Sequence, residues 1–130
     1  MQVAGHSAIV TGGGGGLGAG TARLLAKAGA KVALFDVNMD NARQVAEEIG
    51  GIAVECDVSD ATSGAAAVAA AKEAHGAARV LVNCAGIAPA ERIVGRAGPM
   101  DLDNFRRVIE VNLIGTFNMT RLAAADMQEL

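Results

Sequence analysis

The sequence has no Trp and no Tyr, and only three Phe, two Pro and two Cys among its 130 residues. With so few rings, a core must be built from Ala, Val, Leu and Ile, and 17 glycines without a triplet period describe tight turns rather than a collagen-like fibre. The two cysteines, Cys56 and Cys84, show neither CxxC spacing nor the close pattern of a secreted framework. A disulfide-stapled or Cys-ligated metal class is thereby excluded, and both read as reduced thiols. There is no excess of positive charge either, since 11 Lys plus Arg against 14 Asp plus Glu give a net charge of -3. A nucleic-acid partner is therefore not expected. No apolar run approaches the roughly 18 residues that span a bilayer, so no membrane partner is expected. The start, Met1 to His6, carries neither a basic region before an apolar block nor an Arg-rich leader, and the expected location is cytoplasmic.

What is present is one compact domain's worth of chain, 52% hydrophobic and 19% charged, read as a single segment over residues 1–130. Ser7 to Thr11 is a short apolar run entering five consecutive glycines, Gly12 to Gly16. Leu17, Thr21, Leu24, Leu25 and Ala28 then recur at helical spacing, and Gly29 takes the position that ends a helix. Lys31 to Asp36 predicts a second strand, and Asn38 caps a helix with Ala42, Val45, Ala46 and Ile49 on one face, stopped by Gly50. Ile52 to Asp57 predicts a third strand, Ser59 and Asp60 cap an Ala-rich helix running to His75-Gly76, and Arg79 to Asn83 predicts a fourth strand. Ala88 to Met100 is a loop with both prolines, and Asp101 opens a helical pattern through Leu102, Phe105, Val108, Ile109 and Leu113.

Apolar strands alternating with helices imply parallel pairing through right-handed crossovers. The predicted fold is α/β, a Rossmann-type doubly wound parallel sheet with helices on both faces. In the usual order 3-2-1-4, Cys56 and Cys84 end strands three steps apart, about 14 Å at roughly 4.8 Å per step, so they are not expected to pair. Val80-Leu81-Val82 is apolar on both faces yet would lie at an open edge, and the final helical pattern has no stop signal. Both features lead to the expectation that the sheet continues beyond these four strands.

A glycine-rich turn between strand and helix lets backbone N–H groups approach a pyrophosphate. Two registers fit: Gly13-x-Gly15-x-x-Gly18 and Gly12-x-x-x-Gly16-x-Gly18. No Gly-Lys-Ser/Thr follows, which excludes a triphosphatase P-loop. Asp36 ends the second strand 20 residues after Gly16, where a carboxylate accepts from adenosine ribose hydroxyls and repels a 2′-phosphate. Neither the loop nor Val37 supplies a base for that phosphate, so the expected cofactor is NAD.

Thr11-Gly12-x-x-x-Gly16-Leu17-Gly18, Asp36, Asp57-Val58, Asn83-Cys84-Ala85-Gly86 and Asn112 together resemble the short-chain dehydrogenase/reductase family across essentially the whole chain. The resemblance implies that Gly12, Gly15, Gly16, Leu17 and Gly18 hold the pyrophosphate, that Asp57 and Val58 hold adenine, and that Asn83, Cys84, Ala85 and Gly86 lie along the cofactor. It further implies that Asn112 anchors a water in the catalytic proton relay. The text around Asn83, Asp103 to Val108 and Val111 to Asn118 is most similar to type II 3-hydroxyacyl-CoA dehydrogenases, which gives 3-hydroxyacyl-CoA as the expected small-molecule substrate. By the same resemblance, Leu113, Phe117 and Leu122 belong to a helix used for dimer packing, and a homotetramer is expected.

The family's Ser and Tyr-x-x-x-Lys are missing, as the sequence has no Tyr, and they are expected beyond residue 130. His6 and His75 read as surface residues rather than substitutes. The expected activity is hydride transfer between nicotinamide and a secondary alcohol or ketone. Two other classes share the pattern: a non-catalytic nucleotide-binding regulator, and a methyltransferase with its own glycine loop and acidic residue.

Overall fold

The computed structural model describes residues 2–130, so Met1, the first residue of the Met1 to His6 stretch, lies outside the described residues. Its strands are β1 (Ser7–Thr11), β2 (Lys31–Asp36), β3 (Ile52–Glu55) and β4 (Ala78–Asn83). They form one sheet in the order β3-β2-β1-β4, with every pair parallel. The helices are α1 (Gly16–Lys27), α2 (Met39–Ile49), α3 (Ala61–His75), α4 (Leu102–Ile109) and α5 (Thr116–Met127). This is the doubly wound arrangement that the alternation predicts.

Alternation along the strands divides the core in two. Val10, Val32 and Leu34 pack with Ala19 and Ala22 of α1 and Val45 and Ala46 of α2. Ile9, Ala33 and Phe35 point the opposite way, to Ala67, Val68 and Ala71 of α3 and Met119 of α5. Ile9, Leu34 and Phe35 are essentially without solvent contact, and each contributes about 1.5–3 kcal/mol by burial.

Asn38 caps α2 by accepting from the Asn41 N–H at 3.2 Å, and Gly50 ends it in a left-handed conformation, φ 66°. At α3 the cap is Asp60 alone, whose Oδ1 accepts from Ser63 N. Ser59 turns instead to Asp57. β3 stops two residues earlier than the run to Asp57 predicts. Cys56 N still donates to the Asp36 carbonyl, but the Asp57 N–H leaves the ladder for Ser63 Oγ at 2.9 Å.

Two helical faces depart from the predicted spacing. In α1 the buried positions are Gly18, Ala19 and Ala22, while Leu17 and Leu24 lie in solvent. Small residues face the sheet because the helix starts in close contact with β1's loop. In α4 no residue is buried, and Leu102 and Phe105 point outward. Within the loop expected from Ala88 to Met100, a short antiparallel pair forms, β5 (Val94–Gly95) with β6 (Gly98–Pro99).

Between α4 and α5 the helix widens into a π-helical segment, Glu110–Gly115. β4 pairs only with β1 among the described residues, leaving Val80 to Val82 half-buried along an open edge. No helix among the described residues is long and apolar enough to cross a membrane.

Candidate cofactor-binding site

The four strands all end on one side of the sheet, where the order reverses between β1 and β4, and a groove of about 470 Å³ opens there. Its floor is the turn from β1 into α1. A Cβ on Gly12 would stand 2.8 Å from Ala85 N, and one on Gly18 would collide with the Gly12 carbonyl oxygen. Gly16 takes φ +52°. These are the positions of the second register, Gly12-x-x-x-Gly16-x-Gly18, but Gly13 of the first is equally hemmed in, with a Cβ there 2.6 Å from Leu34 Cδ2, so the two registers part only at Gly15. Gly15 has an extended backbone and nothing within 4 Å of a notional Cβ.

No side chain caps α1, so the first N–H groups of the helix have no side-chain acceptor. Open space above Gly15 and Gly16, beside the positive end of a helix, fits a phosphate group.

Asp36 closes this cradle from β2. Its Oδ2 accepts from Gly14 N at 2.8 Å and its Oδ1 from Asn38 N at 2.9 Å. A carboxylate accepts about four hydrogen bonds, so each oxygen keeps capacity for a hydroxyl donor. Asp57, past β3, is held differently. Its Oδ1 takes the Ser59 hydroxyl at 2.6 Å and the Ser59 N–H at 3.0 Å, while Oδ2 has no partner among the described residues. The Ser59 hydroxyl is the main reason the Asp57 carboxyl titrates below its usual range, with Arg107's charge adding to it.

At the β4 end, buried Thr11 offers Oγ1 to both Cys84 N and Ala85 N at 3.1 Å, tying the ends of β1 and β4 together. Cys84, Ala85 and Gly86 line the groove, as do Gly12, Gly15, Gly16, Leu17 and Gly18, Asp36, Asp57 and Val58. Asn83 does not. On β4 it shares a face with Leu81, away from Val82, and its Nδ2 donates to Thr120 Oγ1 on α5 at 3.3 Å. Strand alternation thus directs the Asn83 carboxamide to α5, while its neighbours Cys84 to Gly86 reach the groove.

Asn112 sits in the π-helical segment with its carboxamide engaged at both ends: Oδ1 accepts from Ile87 N and Nδ2 donates to Ile87 O, each at 2.8 Å. It therefore fixes the backbone of the β4 loop beside the groove. Both cysteines are free. Burial pushes the Cys56 thiol up to about 11.

Sequence reasoning missed Asn118. This buried residue of α5 donates from Nδ2 to Val58 O at 2.9 Å and to Asp60 O at 3.2 Å, and its Oδ1 accepts from Arg121. It clamps the loop that carries Asp57 and Val58. Gly115 lets the helix come that close, since a Cβ there would be 2.5 Å from Val58 Cγ2. A polar side chain among apolar positions of a helix is the available signal, but the π-helical segment shifts the helical phase and hides which face it occupies. Among the described residues no group of three or more His, Cys, Asp or Glu is arranged to hold a metal.

The sequence matches the family model for short chain dehydrogenase over residues 6–129. It is 42% identical over 130 residues to the 3-hydroxyacyl-CoA dehydrogenase type-2 of Rattus norvegicus, an alignment covering 97% of this chain and 50% of that protein. The fold superposes on a hydroxysteroid dehydrogenase from Escherichia coli with a TM-score of 0.85 and 32% identity, covering 98% of this chain and 52% of that one. It also superposes on a structure titled ribose-5-phosphate isomerase from Brucella melitensis, with a TM-score of 0.86, 32% identity, and coverage of 98% and 49%. The chain thus spans about half the length of the relatives it matches. A glycine cradle, a strand-end aspartate beside it and a family match across nearly the whole sequence lead to one conclusion: this chain belongs to the short chain dehydrogenase family.

Proposed function

We propose that the groove binds NAD and serves an oxidoreductase that moves hydride between the nicotinamide and a secondary alcohol or ketone, with 3-hydroxyacyl-CoA as substrate and 3-ketoacyl-CoA as product. The observation that carries this reading is Asp36 closing the glycine cradle through Gly14 N, with an exposed Val37 rather than a base beside it. A ribose with free hydroxyls suits that carboxylate, and a 2′-phosphate does not. The substrate class follows from the similarity to the rat 3-hydroxyacyl-CoA dehydrogenase. The nicotinamide, when bound, supplies the hydride chemistry.

This chain's own residues supply the hold on the cofactor. The α1 N-terminus takes the pyrophosphate, Asp36 the ribose, Asp57 and Val58 the adenine, and Cys84 to Gly86 flank the path toward the reacting end. Asn112 keeps Ile87 in place. The second hydrogen of its Nδ2 and the remaining lone pair of its Oδ1 are available to the relay water that the family resemblance assigns to it. Leu113, Ile114 and Phe117 form an exposed apolar strip that suits packing between copies, and we propose that the protein works as a cytoplasmic homotetramer. Leu122, expected on that strip, turns inward and packs near Gly64 of α3 instead.

Thermal denaturation tests the reading. NAD is expected to raise the melting temperature of this protein and S-adenosylmethionine to leave it unchanged. A shift with S-adenosylmethionine alone would assign the groove to methyl transfer. Because the sequence offers no Tyr as acid/base, the 130-residue chain should bind NAD without turning over 3-hydroxyacyl-CoA, and turnover at a normal enzymatic rate would refute the Tyr-dependent mechanism.

A further inference from the structure

One charged residue of the groove has no role in the contacts above. Arg107 stands in the last turn of α4 and, with Val111 of the π-helical segment, brings the chain that follows β4 to the groove wall. The other charged side chains of that wall are the carboxylates of Asp36 and Asp57, so Arg107 is its one cation among the described residues. Neighbouring Arg106 is paired with Asp103 at 2.9 Å. Arg107 has no carboxylate within 4.0 Å and no side-chain hydrogen bond among the described residues.

The position of the helix says which end of the groove this guanidinium serves. Val111 packs in the same cluster as Cys56 and Val58, and Gly115 is seated on Val58, so the π-helical segment that follows Arg107 packs on the loop after β3. β3 lies two strands from β1, roughly 10 Å at about 4.8 Å per step, which separates this end from the phosphate cradle at α1. A guanidinium is planar and weakly hydrated, and it stacks on flat aromatic faces while a lysine ammonium does not.

Resting on the NAD reading above, we infer that Arg107 is a ligand-contacting residue at the adenine end of the groove: its guanidinium plane covers the purine whose amino group the free Oδ2 of Asp57 accepts. Its charge also favours the ionised form of Asp57, behind the larger contribution of the Ser59 hydroxyl. Arg107 thus contributes to adenine affinity without touching the pyrophosphate.

Calorimetric titration with AMP, and with inorganic pyrophosphate as a second probe, tests this. Arg107→Ala should weaken AMP binding about 3- to 30-fold, the range of a partly desolvated cation–π contact, and leave pyrophosphate binding unchanged. Arg107→Lys should recover only part of the loss. Arg107 is exposed and unpaired, so the variants should keep the circular dichroism of the parent. Unchanged AMP affinity in Arg107→Ala overturns the assignment and leaves the NAD reading standing. An equal loss for pyrophosphate overturns it in favour of a phosphate contact. Failure of the unmodified protein to bind AMP or NAD overturns both.

Discussion

Asp36 at the end of β2 and Asp57 two residues past the end of β3 lie in consecutive strand-helix units, yet they are held in different ways. Asp36 has both oxygens occupied by backbone N–H groups and acts as a clasp on the glycine cradle. Asp57 commits one oxygen to Ser59 and presents the other to the groove. The first is bound up with the shape of the site, and the second is a contact held ready by its neighbours. The same residue type therefore combines a clasp with recognition after β2, where each Asp36 oxygen keeps a lone pair for a ribose hydroxyl, and serves recognition alone after β3, and the surrounding donors decide which.

The sharpest way to break the β2 side is through the loop that Asp36 closes. Gly18→Ala drives a methyl into the Gly12 carbonyl, so the turn must open. We expect a stability loss of about 1–3 kcal/mol, as for other overpacked sites, and loss of measurable NAD binding. Gly15→Ala meets nothing within 4 Å on an extended backbone and should fold normally. Melting curves with and without NAD distinguish the pair. Equal behaviour of the two variants would remove the claim that Gly15 is the one first-register position at which the fold leaves room for a side chain.

On the β3 side the effects should be smaller and confined to recognition. Asp57→Asn keeps the shape but loses the charge, and it should weaken NAD binding by about 1.5–2 kcal/mol, the lower range for a hydrogen bond to a charged group, with little change in melting temperature. The same carboxylate gives the pH dependence its sign. Because Ser59 holds the Asp57 carboxyl below its ordinary value, its ionised form persists as pH falls through the usual carboxylate range. Its contribution to folding and to adenine binding is present above the unfolded value and is lost only as pH drops through the lowered folded value. Titration of NAD affinity against pH, compared between the parent and Ser59→Ala, should show the loss setting in at higher pH in the variant.

The legibility of these regions from sequence differs for a physical reason. Asp36 is readable because a strand has a two-residue period and a definite end, so an acidic residue after an apolar run emerges where the strand stops, whereas Asp57, two residues past β3, is reached only through the family resemblance. The register of five glycines is not readable. It depends on what each Cβ would meet, and Leu34, Ala85 and Gly12's own carbonyl are brought there only by the fold. The side-chain direction of Asn83 is hidden for a related reason, since the motif spacing gives its place at the end of β4 but only strand alternation shows that its carboxamide meets Thr120. Arg107 and Asn118 lie on either side of a π-helical segment, and the widened turn breaks the 3.6-residue period by which a helical face is recognised. In α1 the period is regular, but close packing selects Ala19 and Ala22 over Leu24.

The measurement that bears most directly on the account is the affinity of the unmodified protein and of Asp36→Ala for NAD and for NADP, by calorimetry at one salt concentration. The unmodified protein should bind NAD at least about tenfold more tightly than NADP, a difference of roughly 1.4 kcal/mol. Asp36→Ala should lose affinity for NAD and narrow that gap, and a basic residue added at Val37 should narrow it further. Equal affinity of the unmodified protein for the two cofactors would contradict the role given to Asp36.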